Sequence, residues 1–348
     1  MINKKAAVHD KVLGNLSLAA LDMTPTAEQT VIMKQSTEGV TVKKSIALPV
    51  IMTVLVVSVY MAVAISANLF QWGVIVICTT FVIAVGAVFA RWSTERLILR
   101  NARRSVILEN FANESGLSYS LLVEKPELVG VIFQLGDSSK IRDRFCSDDD
   151  TFEVGNYEYT VRHGKSRTTY VYGYLRIKLE RKVAHMFLDS IGNNMNIFGN
   201  SFSNIPIAMT SDQILSLEGD FDKYFTLYAP AEYEQDALYV FTPDLMALLI
   251  DTVADYDAEV IDDQLFIYGS EFNLLDKLVW EKITKIVATV GEKTIDRTDY
   301  YADERVGNRR LNVVAEPGKR LRRGISWQTK LAVGFTLIYF IIEILIRQ

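Results

Sequence analysis

Cysteine and histidine are scarce in this chain, two and three among 348 residues. Cys78 falls inside a long apolar run and Cys146 in a polar stretch well away from it, so the two imply no disulfide framework. Three histidines and two separated cysteines give no zinc-binding set of the usual spacing. The Gly-x-Ser-x-Gly elbow of hydrolases and the glycine fingerprint of dinucleotide-binding folds are missing too. So is an excess of basic charge: the net charge of −5 argues against nucleic acid as the main partner. These absences remove the enzyme classes defined by short motifs. They leave open a site assembled from residues far apart in the chain.

What the chain has in abundance is apolar sequence. Residues 45–90 form a run of forty-six without one charged side chain. A bilayer core of about 30 Å takes roughly 20 apolar residues to cross as a helix. The run therefore predicts a transmembrane hairpin, with helices at about 46–67 and 72–90 and a turn at Asn68, Leu69, Phe70, Gln71 and Trp72. A further apolar run at 327–346 predicts a third span. Lys43 and Lys44 precede the first span, Arg91, Arg96, Arg100, Arg103 and Arg104 follow the second, and Lys319, Arg320, Arg322 and Arg323 precede the third. By the positive-inside rule the N-terminus and the large intervening domain are expected in the cytoplasm, with the hairpin turn and the C-terminus outside. The first forty-odd residues, polar and mixed, read as carrying no secretory signal.

In order, the expected organisation is a mobile cytoplasmic segment at 1–44, the hairpin at 45–90, a juxtamembrane helix at 91–116, an α+β domain at 117–290, a charged tether at 291–326 and the third span at 327–346. Val8, Val12, Leu13 and Leu16 suggest a short amphipathic helix or a frayed tail. Trp92, Leu99, Val106, Ile107 and Phe111 suggest an apolar face on the juxtamembrane helix, ended by Gly116. The small residues Ser58, Ala62 and Ser66, and Gly86 with Ala90, suit close helix packing. In the domain, 126–135 reads as a short helix, and 152–161 with 169–179 as an antiparallel hairpin followed by a strand at 183–188. Residues 224–228 read as a strand, and 231–240 and the stretch opened by Thr242, Pro243 and Asp244 as helices. Two short strands flanking Asp262 and Asp263 read as a hairpin, and 274–289 as a helix with Leu275, Leu278, Val279 and Ile286 on its buried face. The fold class is thus a membrane-anchored α+β protein, three transmembrane helices with a mixed, largely antiparallel cytoplasmic domain.

The stretches LEGDFDKYFTLY at 217–228 and DALYVFTPDLM at 236–246 resemble a bacterial family of membrane-anchored proteins known only as a domain of unknown function. The resemblance is loose over 90–290 and better over 213–270. It departs from the family pattern at Leu238, where an arginine is common, and in the third span. It implies an N-terminal transmembrane hairpin, a cytoplasmic α+β domain, a place in the bacterial inner membrane and, for some members, genes near those of LemA-type proteins. It implies no activity and no catalytic residue.

Four groups are candidates for chemistry. His163, Gly164, Lys165 and Ser166 hint at a phosphate loop, but Tyr159 stands where that loop needs glycine. His185 and Asp189 would pair if helical, and their segment reads as a strand. Asp148, Asp149 and Asp150, with Glu153 as the nearby helper, would attract a cation or form a solvated loop. Asp262 and Asp263 suit a turn. No catalytic, cofactor-binding or metal residue is assigned, and no cofactor is expected. The expected function is an interaction or scaffold module, with the lipid bilayer and a protein as partners and self-association open. The alternatives are a membrane-bound hydrolase or ligand-binding enzyme with a site between 117–210 and 211–290, and a homo-oligomeric pore or cage.

Overall fold

A computed structural model describes residues 16–35, 72–164, 166–197 and 200–324, with isolated positions elsewhere. The chain divides into two units, Leu18–Phe111 and a larger one of Met1–Ser17 with Ala112–Gln348. In the smaller unit a 3-10 turn, Leu18–Asp22, precedes a helix over 27–35, both within the stretch expected to be mobile. Helix α1, Trp72–Glu114, follows.

The expectation of three transmembrane helices, and with it a multi-pass place in the bacterial inner membrane, is corrected by the structure: among the described residues no helix is long and apolar enough to cross a membrane. Apart from isolated positions, the first and third expected spans, the hairpin turn up to Gln71, and Val8, Val12 and Leu13 lie outside the described residues. The second expected span opens α1, whose side chains are described from Phe81 onward. The helix then continues through Arg91, Glu95, Arg96, Arg100, Arg103 and Arg104. Its buried face there is Ile98, Ala102, Ser105, Val106 and Leu108, with Phe111 and Ala112, whereas Trp92 and Leu99 are exposed. Gly116, at φ +67°, supplies the left-handed residue that ends the helix.

The larger unit is α+β, built on a seven-stranded sheet whose described pairings are all antiparallel. Strands β1 (Leu117–Glu124), β2 (Ser138–Ser147) and β3 (Phe152–His163) form a meander that leads to β4 (Ser166–Ser190). At 25 residues, β4 is the axis of the sheet. A small hairpin follows, β5 (Met195–Ile197) with β6 (Asn200–Phe202), then β7 (Ile214–Leu215) and β8 (Phe225–Tyr228). Helices α2 (Glu234–Val240) and α3 (Pro243–Val253) precede β9 (Asp257–Gly269). Helices α4 (Lys277–Ile286) and α5 (Glu292–Thr298) are joined by a π turn, Val287–Gly291. Tyr174 pairs with both Gly155 and Tyr268, and Phe187 with both Tyr228 and Glu259. Strands β3 and β8 therefore share one edge of β4, and β9 occupies the other.

Local chemistry explains the departures from the sequence reading. The expected strands at 169–179 and 183–188 are one strand, with a register shift against β9 between Lys178 and Val183. Asp262 and Asp263 do not reverse the chain. Asp262 sits at φ +52°, a conformation aspartate tolerates, and makes an irregularity inside a continuous β9. The helix expected at 126–135 shrinks to a 3-10 turn, Val131–Gln134. On α4 the buried residues are Trp280, Ile283 and Ile286, while Leu278 is 70% exposed. Trp280 takes over the apolar face because its ring meets Phe145 at 5.0 Å and its Nε1–H donates to the Leu274 carbonyl at 2.9 Å.

The core is aromatic. Phe133 lies with its ring centre 4.7 Å from that of Tyr157, 5.1 Å from Tyr174 and 5.5 Å from Phe266. Gly130 lets this turn approach the sheet: a Cβ there would stand 2.1 Å from the Tyr268 hydroxyl. Gly130→Ala is therefore expected to destabilise the domain by about 1–3 kcal/mol, the usual cost of overpacking. Urea unfolding followed by tyrosine and tryptophan fluorescence reads this directly.

Candidate functional site

The structure disperses the residues that the sequence singled out. His163 pairs with Ser166 across a tight β3–β4 turn, with Gly164 at φ +61°, so this is a hairpin end and not a phosphate loop. His185 and Asp189 lie four apart on β4, and an extended strand carries them roughly 13 Å apart. Each has found a different partner.

His185 is buried against Glu259. The Leu321 backbone N–H donates to its Nδ1 at 3.0 Å, so the ring proton sits on Nε2 and is donated to Glu259 at 2.7 Å. The same carboxylate accepts the Val131 N–H at 2.9 Å and the Tyr268 hydroxyl. Four distant segments meet in this one network. They include the stretch around Leu321, within the expected tether, which runs beside the sheet.

The acidic turn has its cations supplied from within. Asp150 and Glu153 both contact Arg176, and Arg144 donates to Glu153 at 2.8 Å. Burial pulls the Arg176 pKa down, but Asp150 and Glu153 outweigh it and hold it above its ordinary value. Cys146, Asp150 and Glu153 bring donor atoms within 4.8 Å of one another. A divalent ion there would have to displace two guanidinium groups, and burial pushes the Cys146 thiol up, away from the thiolate that metals prefer. The donor set suits an arginine pair better than a metal.

The arrangement most open to a partner was not visible in any spacing. A cleft of about 690 Å3 is lined by Asp236, Tyr239, Tyr300, Tyr301, Arg305 and Arg309, among others. Its two walls are α2 and the segment after α5, more than sixty residues away in sequence. A buried network fixes one against the other. Asp303 accepts the Tyr233 hydroxyl at 2.7 Å, the Arg305 N–H at 2.9 Å and the Ala315 N–H at 2.8 Å. Asp236 accepts the Tyr301 hydroxyl at 2.7 Å and Arg305 Nη1 at 3.0 Å. The Arg305 guanidinium also covers the Tyr233 ring at 3.8 Å. Burial first and Asp236 second hold the Tyr301 hydroxyl protonated well beyond the usual phenol range. The floor is thus cross-linked by two carboxylates, one guanidinium and two tyrosine hydroxyls. The rim is apolar and wet at once: Tyr300 is 82% exposed and Tyr239 47%.

The motif stretches at 217–228 and 236–246 contribute core residues, among them Phe221, Phe225, Leu227, Ala237, Val240 and Phe241, all buried. Thr242 stands at the N-cap position of α3 and bonds to Asp244, not to the helix backbone. Comparison with known proteins adds little. No protein-family model matches the chain, the motif-bearing stretches included, and no curated protein matches its sequence. The crystal structure of the mycobacterial trehalose monomycolate transport factor A, TtfA, is similar at 10% identity, over 55% of this chain and 92% of that one, with a TM-score of 0.36. A likeness that loose carries no argument about fold or function.

Proposed function

We propose that this protein is an interaction module and that a protein partner docks in the tyrosine- and arginine-lined cleft between α2 and the 299–309 segment. The observation that carries this reading is the pairing of a cross-linked floor with an exposed aromatic rim. Tyrosine and arginine are enriched at the anchoring positions of protein interfaces, and Arg305 is already held in place by Asp236 and Asp303. A floor held by the Asp303 and Asp236 networks needs no reorganisation on binding, which removes one of the costs of association.

Tyr239→Ser combined with Tyr300→Ser tests this. Both side chains are exposed, so the fold should keep its stability within about 0.5 kcal/mol. The partner, recovered from native cells near one to one with the unaltered chain, should bind the double variant about 30-fold more weakly, as loss of ~2 kcal/mol at a hot spot requires. Equal recovery by both chains, or a partner with neither, contradicts the proposal.

A further inference from the structure

Strands β4 and β9 pair Met186 with Val260, Phe187 with Glu259 and Leu188 with Ala258. One more step in that register sets Asp189 opposite Asp257. Both carboxylates are buried. Like charges directly opposite in adjacent strands repel, and burial strengthens the repulsion. Glu259, two residues along β9 and on the same face, is answered by His185. Asp257 faces another acid.

What surrounds the pair is the loop that follows β4. Ser203 Oγ donates to Asp189 at 2.7 Å and Asn194 Nδ2 at 3.4 Å. The Ser190 N–H donates to Asp257 at 2.8 Å and Asn193 Nδ2 at 3.2 Å. Asn194 in turn accepts the Asn204 N–H at 3.1 Å, and Tyr172 donates to the Asn204 carbonyl at 2.9 Å. Residues 190–205, SIGNNMNIFGNSFSNI, contain no charged side chain. Among the described residues, the titratable groups facing the pair are Tyr172 on β4, Tyr228 on β8, Tyr268 on β9 and Asp255 before β9. None brings positive charge.

We propose that Asp189 and Asp257 together carry one proton and act as a pH-sensitive latch that pins the loop ends at 191–194 and 203–205, released when the second carboxylate ionises. With one proton between them, the pair carries a single negative charge and four neutral donors satisfy it. With none, two buried anions face each other and gain most by admitting water, which requires the donors on the loop to let go. Burial first and the Asp189 charge second push Asp257 up to about 7, from an ordinary 3.8. Burial also raises Asp189. The sign follows. The folded pair holds a proton that the unfolded chain releases, so its stabilisation is complete below pH about 4 and is lost as pH rises through about 7. The latch is closed in acid and loosens progressively as pH rises from about 4 to about 7.

Hydrogen–deuterium exchange of the intact chain, corrected for the intrinsic pH dependence, tests this. Protection of amides in 191–194 and 203–205 should fall about 30- to 100-fold between pH 5 and pH 7.5, by about one order of magnitude per pH unit below the transition, and level off above it, while the β3–β4 hairpin stays unchanged. Asp257→Asn should hold the loop at both pH values. Asn193 Oδ1, which has no partner among the described residues, can turn to accept from the new amide. Asp189→Asn should do the same, and serves if the first variant fails to fold. A pH-independent loop in the unaltered chain, or the same loss of protection in the folded variants, overturns the proposal.

Discussion

Glu259→Ala is expected to destabilise the larger unit by about 3–5 kcal/mol, the usual cost of removing one member of a buried polar pair. The reason is the number of donors that converge on this one side chain. His185, the Val131 N–H and Tyr268 all point at it from buried positions, and each is left without an acceptor at a cost of roughly 1–3 kcal/mol. These costs overlap, because the 3-10 turn can relax once its anchor is gone. The Leu321 N–H keeps its bond to His185 Nδ1, but the ring loses the partner that fixed its orientation. Glu259→Gln is expected to cost less, since one amide oxygen still accepts. Chemical unfolding of the three proteins should rank them unaltered, glutamine, alanine. An alanine variant as stable as the unaltered chain would mean that the four segments are not held together at this point.

Glu153→Ala is expected to cost a similar amount, about 3–5 kcal/mol, for the opposite reason: it strands positive charge. Arg176 is only 3% exposed and reaches Glu153 at 3.1 Å, with Asp150 on its other side. Arg144 and the Tyr174 hydroxyl also end on this carboxylate. Without Glu153 the guanidinium of Arg176 keeps one partner, more exposed than the one lost. Arg176→Leu added to Glu153→Ala should recover part of the loss, because the most deeply buried of the stranded charges is then removed. The two-by-two cycle of denaturation midpoints measures the coupling, expected at about 1–3 kcal/mol. Strict additivity would contradict the reading of this cluster as an internal ion pair.

These networks also mark where sequence reasoning stops. Strand composition and turn chemistry made the β3–β4 hairpin legible, with Tyr157 and Tyr159 on one side of the Gly164 turn and Tyr170, Tyr172 and Tyr174 on the other. Thr242, Pro243 and Asp244 announced α3, and Gly116 the end of α1. Long-range pairing was not legible. Nothing near Asp189 indicates that Asp257 lies opposite, and nothing near Tyr233 points to Asp303, seventy residues away. The buried face of α4 was misread because leucines were counted as inward-facing, when Trp280 with its donor had the stronger claim on the interior. Apolar run length alone misled the reading of α1. The juxtamembrane helix expected at 91–116 is the second part of α1, which carries eight charged residues past the run.

The cleft is the account's central claim, and site-specific crosslinking tests it most directly. A photoreactive amino acid at Tyr300, on the exposed rim, should capture one partner in native cells, and capture should fall about 30-fold when Tyr239→Ser is added. The same probe at Leu278, exposed on α4, should capture nothing comparable. Equal capture at both positions, or no capture at Tyr300, would contradict a docking role for this cleft.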